Sequence, residues 1–310
     1  MIPTSTRAGR GIRLSPLLGA LALLLSMRPA SAGPSAPPPT MDQILATSTA
    51  ADWRRPDPEN TLYMDFAAGR VIIELAPQFT PEHVANIRTL VRAHYFDGLT
   101  VNRVQDNYVV QWGDADGERG LGDARAKLPA EYDRSARGLS FTALPDRDVY
   151  APEAGFIDGF PAARDGESGQ AWLAHCYAMV GVGRDMPPDT GNGAELYAVI
   201  GHAPRHLDRN LAVVGRVISG MPLMTALPRG TGALGFYRTV AERTTIRSVR
   251  LAADVPTAER TDIQLLRTDT PTFSRLMEAR RNRREPFFVQ PAGHIDLCNV
   301  PLPARIDGKA

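Results

Sequence analysis

The chain has 310 residues, of which 43% are hydrophobic and 22% are charged, so it is long enough to bury a sizeable core in one or two domains. Lys and Arg together number 35 and Asp and Glu 34, which leaves a formal net charge of +1 at pH 7. This balance does not indicate a partner that is held by bulk electrostatic attraction, such as nucleic acid, because such binding needs an excess of positive charge.

The first 32 residues have the pattern of a secretory signal peptide. Arg7, Arg10 and Arg13 precede the apolar stretch LSPLLGALALLLSM, and the small residues ASA end at Ala32. We therefore expect a mature chain that begins near Gly33 and is periplasmic or secreted. The apolar stretch is too short to span a bilayer comfortably, so we expect no stable membrane insertion after cleavage; an uncleaved anchor is the alternative.

A hairpin and a helix follow the proline-rich leader of residues 33–59. The segment TLYMDFAAGRVIIEL has two alternating runs around Gly69, which predicts a β-hairpin. In TPEHVANIRTLVRAHYF, Thr80 is placed to cap a helix and Pro81 to occupy its first position. Five residues of this segment recur on one face at helical spacing: Val84, Ile87, Leu90, Val91 and His94.

The stretch VNRVQDNYVVQWGD, from Val101 to Asp114, alternates apolar and polar residues like a pair of half-buried strands. It places Arg103 among the apolar positions, and an arginine is rarely buried unless it has something to bind. Taken alone, Arg103 is typical of a surface strand residue in a salt bridge. Gln111, also in this stretch, is uninformative by itself.

Residues 117–170 read as an irregular insertion. The segments GERGLGDARA, LPDRDVYAPE and FPAARDGESG are clusters of Gly, Pro and Asp, which predict loops. Strand-length apolar runs follow in AWLAHCYAMVGVG, AELYAVIG and LAVVGRVISG; PLMTAL begins like a short helix, and TTIRSVRLAADVP supplies a last strand. Many short strands with two helices suit a closed antiparallel barrel.

The cysteines and histidines give little sign of a metal. Cys176 and Cys298 lie far apart in sequence, so a disulfide and two buried free thiols both remain open. His202 and His206 have the spacing of a helical metal pair, but Pro204 between them breaks the helix that such a pair needs. We interpret this segment as a solvated loop and predict neither a metal nor a cofactor.

The C-terminal segment FSRLMEARRNRREPFF, from Phe273, has the pattern of an amphipathic basic helix. Contact with a membrane surface or with nucleic acid is one interpretation. The favoured one is a solvated helix that packs on the barrel through Phe273, Leu276 and Met277. The role of the last 60 residues, 251–310, is not assigned by their sequence.

Three blocks of the sequence resemble a known family. GRVIIELAPQFTPEHVANIRTLVRAHYFDGLTVNRVQDNYVVQWGD resembles the first half of a cyclophilin-type peptidyl-prolyl cis-trans isomerase, and AMVGVGRDMPPDTGNGAELYAVIG and HLDRNLAVVGRVISGMPLMTAL resemble its later blocks. The resemblance covers residues 60–250, interrupted by the insertion, and leaves 251–310 as an extension. It implies a mainly β fold, namely a closed eight-stranded antiparallel barrel capped by two helices, with the long loop insertion added.

The resemblance also implies an activity, which is that of a rotamase that accelerates X-Pro bond rotation and so assists folding. With the signal peptide, the expected substrates are proline-containing polypeptides that are exported. Each site residue is carried over from the family's motifs: catalytic Arg103 and Gln111; the proline-pocket residues Tyr108, Val109, Tyr197 and Leu207; and the backbone-binding residues Gly181 and Glu195. The family's mechanism needs no covalent step, metal or general base at these positions.

Several positions depart from the family's pattern. Two phenylalanines of the pocket are tyrosines, its methionine is Val109, its histidine is Leu211, and a rim tryptophan is His206. A groove glutamine is replaced by Glu195 and an asparagine by Gly181. The alternative is therefore a non-catalytic proline-peptide-binding or chaperone module, and a third hypothesis is a scaffold whose insertion and tail recruit another envelope protein. Client proteins, the residue preferred before proline and the oligomeric state are not assigned.

Overall fold

A computed structural model describes residues 38–114 and 116–306. The predicted signal peptide lies outside the described residues. Within them, the helices and strands in chain order are α1 (Met41–Ala46), β1 (Trp53–Arg54), β2 (Thr61–Phe66), β3 (Gly69–Leu75), α2 (Pro81–Arg92), β4 (Thr100–Val104), β5 (Val109–Gly113), β6 (Arg134–Ser135), β7 (Thr142–Ala143), β8 (Glu153–Ile157), β9 (Phe160–Asp165), β10 (Gln170–Leu173), β11 (Met179–Val182), β12 (Leu196–Val199), β13 (Val213–Ser219), α3 (Met221–Thr225), β14 (Thr244–Thr245), β15 (Ser248–Leu251), β16 (Ile263–Leu266), α4 (Pro271–Arg281) and β17 (Ala304–Ile306).

The largest sheet has nine antiparallel strands in the order β14-β4-β5-β12-β11-β13-β3-β2-β15. Its β2–β3 hairpin turns just before Gly69 and α2 begins at Pro81, which confirms the hairpin and the helix. Two details of the helix prediction are wrong: the Thr80 side chain makes no cap hydrogen bond, and His94 lies beyond the end of the helix and is exposed. The face of α2 that carries Val84, Ile87 and Leu90 is fully buried against the concave side of the sheet. This packing forms the main hydrophobic core. On the opposite sheet face, Tyr63, Ile72 and Ile218 are buried against β16 of the extension, and the part formed by β4, β5 and β12 is left to carry a site.

The closed eight-stranded barrel implied by the resemblance is not confirmed, because the nine-stranded sheet is curled but open. Its two end strands, β14 and β15, are consecutive in the chain and pair with β4 and β2. The segment between them leaves the ladder at Ile246, whose N–H donates to the Leu99 carbonyl and whose carbonyl accepts from the Gly98 N–H. The strand that would close a barrel is therefore interrupted, and its two parts, β14 and β15, are the two edge strands of the sheet.

The insertion is not a set of loops, so that prediction is wrong for much of it. Strands β6 to β10 form a five-stranded sheet in the order β6-β10-β9-β8-β7. Its strands escaped detection because two of them have only two residues and Pro161 lies inside β9, where a proline normally argues against a strand. The strands also approach closely: a Cβ at Gly155 would lie 2.2 Å from the Thr142 carbonyl oxygen.

The C-terminal extension packs on the insertion. Strand β16 lies between β1 and β17 in a three-stranded sheet, and α4 is capped by the Thr270 side chain. The predicted contact residues of α4 are buried, and Phe273 packs edge-to-face against Phe156 of the insertion with ring centroids 5.0 Å apart. The helix prediction is confirmed. The helix packs in a second core, to which the insertion sheet contributes most and the nine-stranded sheet contributes Met179 and Val213.

A disulfide between Cys176 and Cys298 settles the question that the sequence left open. Their Cα atoms lie 4.9 Å apart although 122 residues separate them in sequence. Cys176 follows β10 and Cys298 lies in the extension, so the bond ties the extension to the segment just after β10. Among the described residues, no helix is long and apolar enough to cross a membrane.

Candidate active site

Strand register aligns four of the predicted site residues across four neighbouring strands. Arg103 of β4 pairs with Gln111 of β5, Gln111 pairs with Tyr197 of β12, and Tyr197 pairs with Gly181 of β11. Directly paired residues project from the same face of a sheet. The row therefore lies on one face, which is the outer face that α2 leaves uncovered.

A β-bulge explains why an arginine stands in phase with apolar residues. Val101 pairs with Trp112 and Arg103 pairs with Gln111, so two steps along β4 match one step along β5 and Asn102 is the extra residue. In a regular strand Arg103 would share the face of Val101, which is completely buried. The bulge turns Arg103 to the outer face and keeps Val101 in the core.

The outer face carries a cavity of about 270 Å³ beside this row. Its lining residues are Arg103, Tyr108, Val109, Gln111, Gly183, Arg184, Asp185, Tyr197, Leu207, Leu211 and Phe236. Six of the eight predicted site residues are among them. The floor is apolar, because Val109 and Tyr197 pack with Val199 in a small cluster of their own on this face. A concave apolar surface with a few polar groups at its edge is typical of a small-ligand site.

Three acceptors hold the Arg103 guanidinium at the cavity edge. Its Nε–H donates to the Leu234 carbonyl oxygen at 2.7 Å, one Nη–H donates to Gln111 Oε1 at 3.2 Å, and the other Nη donates to Gln105 Oε1. A guanidinium has five N–H donors. The described residues therefore account for three, and two remain for a ligand.

Arg103 also lies between two aromatic rings, with its guanidinium carbon 5.6 Å from the centroid of Tyr108 and 5.2 Å from that of Phe236. Burial lowers the pKa of Arg103 below its ordinary value. The group remains a cation at neutral pH because a guanidinium titrates far above it. Among the described residues, no carboxylate forms a salt bridge with Arg103. The site thus presents a half-buried positive charge that has no carboxylate partner in the described part of the chain.

Glu195 lies behind Gln111 and does not line the cavity. Gln111 Nε2 donates to Glu195 Oε2 at 3.2 Å, and Asn102 Nδ2 donates to the same carboxylate at 3.3 and 3.4 Å. Burial raises the pKa of Glu195, and the hydrogen bonds from Gln111 and Asn102 offset only part of this. Since the arginine can only donate and an ionised carboxylate can only accept, the orientation of the Gln111 amide is determined at both ends.

Gly181 also lies outside the cavity lining. The Tyr197 ring covers it so closely that a Cβ at Gly181 would be 2.3 Å from both Cζ and the hydroxyl oxygen of Tyr197. Gly181 therefore makes room for a wall of the cavity. Gly183, two residues along the chain, is the glycine that faces the cavity.

Sequence reasoning missed four lining residues beyond those it named. Phe236 comes from the glycine-rich segment 230–236, which has no strand or helix periodicity, and its main chain forms an isolated bridge with Arg103. Gly183, Arg184 and Asp185 directly follow β11, so their position at a strand end was the available signal. Leu211 was noted only as a departure from the family, yet it lines the cavity.

The fold and the site together define a class: a mainly β protein whose curled sheet carries an apolar cavity and a cationic donor on its outer face. Comparisons with known proteins agree. Residues 61–251 match the family described as "Cyclophilin type peptidyl-prolyl cis-trans isomerase/CLD". Probable peptidyl-prolyl cis-trans isomerases of Brucella suis and Brucella abortus are 27% and 26% identical over 189 residues, which is 61% of this chain and 79% of theirs.

A solved structure is also similar. Cyclophilin AquaCyp293 from Hirschia baltica superimposes with a TM-score of 0.66 at 25% identity, over 86% of this chain and 97% of that one. The superposition is longer than the 61–251 stretch and so includes parts outside it. The chain belongs to the cyclophilin-type peptidyl-prolyl cis-trans isomerases, and it is an isomerase. Among the residues that the structure describes, no group of three or more His, Cys, Asp or Glu side chains could hold a metal ion.

Proposed function

We propose that the cavity binds the proline ring of an exported polypeptide and that Arg103 accelerates rotation about the preceding bond without a covalent step. The observation that carries this proposal is the Arg103 guanidinium itself. It is half-buried at the edge of an apolar cavity, it is held by neutral acceptors, and it keeps two donors unused within the described residues. We assign the activity to residues 60–250, with the insertion and the extension as accessory parts.

The chemistry explains why one donor matters. Rotation of an X-Pro amide meets a barrier of about 18–20 kcal/mol because it breaks C–N conjugation, and uncatalysed exchange takes roughly 10–100 s. In the twisted transition state the prolyl nitrogen regains a lone pair and becomes a hydrogen-bond acceptor. A rigid donor aimed at that nitrogen binds the transition state and not the planar ground state, which is what catalysis requires.

The cavity walls supply the rest of the effect. Tyr108, Val109, Tyr197 and Leu207 would hold the ring while the acyl side turns, and they would exclude water that favours the polar planar amide. An acceleration on the order of 10⁴ corresponds to about 6 kcal/mol, whereas one preorganised donor supplies about 3–4 kcal/mol. Both parts of the site are therefore needed.

Gln111 acts on Arg103 in this proposal. Its oxygen already accepts from the guanidinium and its nitrogen already donates to Glu195. It orients the donor, so that Arg103 does not have to be reorganised when the amide twists.

Exchange NMR on an Ala-Pro peptide tests the function, because it reports binding and turnover in one sample. We expect the chain from Gly33 onwards to accelerate cis-trans exchange at substoichiometric concentration. Binding of the peptide without faster exchange would support the alternative of a non-catalytic peptide-binding module. If the peptide neither binds nor exchanges faster, both the isomerase function and the peptide-binding alternative would be contradicted.

Export is the remaining part of the proposal. The Cys176–Cys298 disulfide supports it, because structural disulfides persist in oxidising compartments outside the cytosol. Mass spectrometry of the protein recovered from cells that express the full chain would test it. We expect a mature N-terminus near Gly33, and an intact N-terminus in the cytosolic fraction would contradict export.

Glu195 is expected to make the activity depend on pH. Its carboxylate must accept from Gln111, and its raised pKa means that it takes up a proton at a higher pH than an exposed glutamate does. We expect kcat/KM to fall by about tenfold on acidification through that pKa, as the loss of one charge-assisted hydrogen bond would produce. Glu195→Gln should remove this fall of kcat/KM at acid pH. The same fall in that variant would contradict the assignment of the pH dependence to Glu195.

The same group has the opposite effect on stability. Because the folded protein holds the Glu195 proton more tightly than the unfolded chain does, the fold gains stability as the pH falls through the raised pKa and loses it as the pH rises. Unfolding measured across the same pH range therefore separates a loss of activity from a loss of fold.

Gly181→Ala is expected to displace a cavity wall. The new Cβ would overlap the Tyr197 ring, and overpacking of this kind costs about 1–3 kcal/mol. Both the free energy of unfolding and kcat/KM should fall. Gly120→Ala is the matched control, because a Cβ at Gly120 has no heavy atom within 4 Å and Gly120 does not line the cavity. Full activity in Gly181→Ala would mean that the ring position is unimportant.

A further inference from the structure

Five polar side chains connect the cavity with the insertion. They are Tyr197, His175, Asp208, Arg205 and Asp148, which we call the buried polar network. The mechanism proposed above uses only the ring of the first. Polar groups in such positions are costly unless every one of them is paired, so their arrangement calls for an explanation.

The near end of the network holds the Tyr197 hydroxyl. That oxygen lies 2.9 Å from His175 Nε2, and the planes of the two rings are nearly parallel, 10° apart, with centroids 6.2 Å apart. His175 Nδ1 lies 2.9 Å from Asp208 Oδ1, which also accepts from the His175 backbone N–H at 2.9 Å. An ionised Asp208 can only accept, so Nδ1 donates to it and Nε2 is the ring atom that pairs with the tyrosine hydroxyl. Burial raises the pKa of Tyr197, which therefore keeps its proton.

The far end joins the network to the insertion. Arg205 Nε donates to Asp208 Oδ2 at 2.5 Å, and its two Nη atoms donate to the two oxygens of Asp148 at 2.9 and 3.1 Å. The side chains of these three residues are only 3%, 7% and 1% exposed. Asp148 lies between β7 and β8, within the insertion. Removal of one partner from such a buried set leaves another charge uncompensated.

The network supports two cavity walls at once. His175 fixes the Tyr197 ring, and Arg205 begins the short 3₁₀ turn Arg205–Leu207 that carries Leu207 into the cavity. The insertion sheet and its flanking loop also hold Arg209, two residues after the turn, since Arg209 pairs with Asp133 and lies 4.9 Å from the centre of the Trp172 ring. The turn that completes the cavity is thus held from the insertion side.

We infer that Asp148, Arg205, Asp208 and His175 are positioning residues for the proline pocket, through which the insertion determines the placement of Tyr197 and Leu207. This inference rests on the proposed function. It explains why a tyrosine stands at 197: its hydroxyl gives the ring a hydrogen bond that a phenylalanine could not make. It also assigns the insertion a role in the activity.

If the buried polar network only stabilised the fold, a single variant could lose activity in the same way as if the network positioned the pocket. The test therefore needs a matched control. Asp146 lies in the same loop as Asp148, its side chain is 7% exposed, and it pairs with Arg281 Nε at 2.8 Å, away from the cavity. We propose kinetics and unfolding of Asp148→Asn, Asp146→Asn, Tyr197→Phe and the Asp148→Asn/Tyr197→Phe double variant. If Asp148→Asn does not fold, His175→Gln replaces it, because it interrupts the same network nearer the cavity.

We expect both aspartate variants to lose stability, but only Asp148→Asn to lower kcat/KM, by about tenfold, since small displacements of substrate-holding groups have effects of this size. In the double variant the combined loss should be smaller than the product of the two single losses, because both changes act on the same ring. Equal activity of Asp148→Asn and Asp146→Asn, or losses that multiply, would overturn the inference.

NMR of the Tyr197 ring separates this inference from the proposed function. We expect its aromatic resonances to shift in Asp148→Asn and to stay in place in Asp146→Asn, whether or not the protein turns over a peptide. A wild-type protein without isomerase activity would contradict the proposed function, whereas unshifted Tyr197 resonances in Asp148→Asn would contradict the network.

Discussion

Arg103→Ala is expected to lower kcat/KM by roughly 10²–10³, which is the usual cost of removing one preorganised donor to a transition state. The loss should appear in kcat, because the prolyl nitrogen accepts a hydrogen bond only when the amide is twisted. Arg103→Lys should recover little of it. A single ammonium cannot reproduce the planar fork that contacts Leu234, Gln111 and the substrate together.

The control for Arg103→Ala is Arg229→Ala. Arg229 pairs at 2.8 Å with Asp106, which lies in the exposed loop after β4. Neither residue lines the cavity. It should leave kcat/KM unchanged, and both variants should unfold close to the wild type because neither side chain lies in the main core. Unchanged turnover in Arg103→Ala would contradict the assigned mechanism.

Replacement of Cys176 and Cys298 by serine is expected to lower the free energy of unfolding by about 2–5 kcal/mol. The disulfide joins segments 122 residues apart, so its loss frees a long loop in the unfolded chain and unties the extension from the segment just after β10. Urea unfolding of the oxidised wild type, the reduced wild type and the double variant measures the effect.

The reduced wild type provides the control, because it should match the serine variant. Neither cysteine lines the cavity, so we expect kcat/KM at 25 °C to be retained in both. A double variant as stable as the oxidised wild type would show that the second core holds the extension without the bond.

Local patterns in the sequence were sufficient to predict an element where its apolar residues recur with one clear period. The β2–β3 hairpin and α2 have clear alternation and helical spacing around Gly69 and after Pro81, and both fold as predicted. The insertion sheet has no such period, because its strands are as short as two residues and one contains Pro161. Their pairing depends on contacts between segments, which a local pattern does not contain.

The candidate site shows the same division. The family resemblance pointed to six residues that line one cavity, because strand order and register follow from the fold. It could not reveal the bulge at Asn102, which turns Arg103 outward, since a bulge depends on how two strands match. It named Glu195 and Gly181 as backbone-binding residues beside the pocket, and neither lines the cavity. Their positions depend on side-chain packing behind Gln111 and beneath Tyr197.

The buried polar network lay beyond sequence reasoning for a related reason. His175 and Asp208 are 33 residues apart, and Arg205 and Asp148 are 57 residues apart. Arg205 and Asp148 lie in segments that predict loops, and His175 is a single histidine within the apolar run AWLAHCYAMVGVG. Only the folded arrangement shows that they are buried together and meet the cavity at Tyr197.

The central claim is that Arg103 contacts the prolyl nitrogen only when the amide is twisted. The most direct measurement is exchange NMR of an Ala-Pro peptide saturated with either wild type or Arg103→Ala, with the dissociation constant read from the same titration. We predict that the variant binds the peptide nearly as tightly as the wild type but no longer accelerates exchange within the complex. Exchange that stays fast in the Arg103→Ala complex would contradict it.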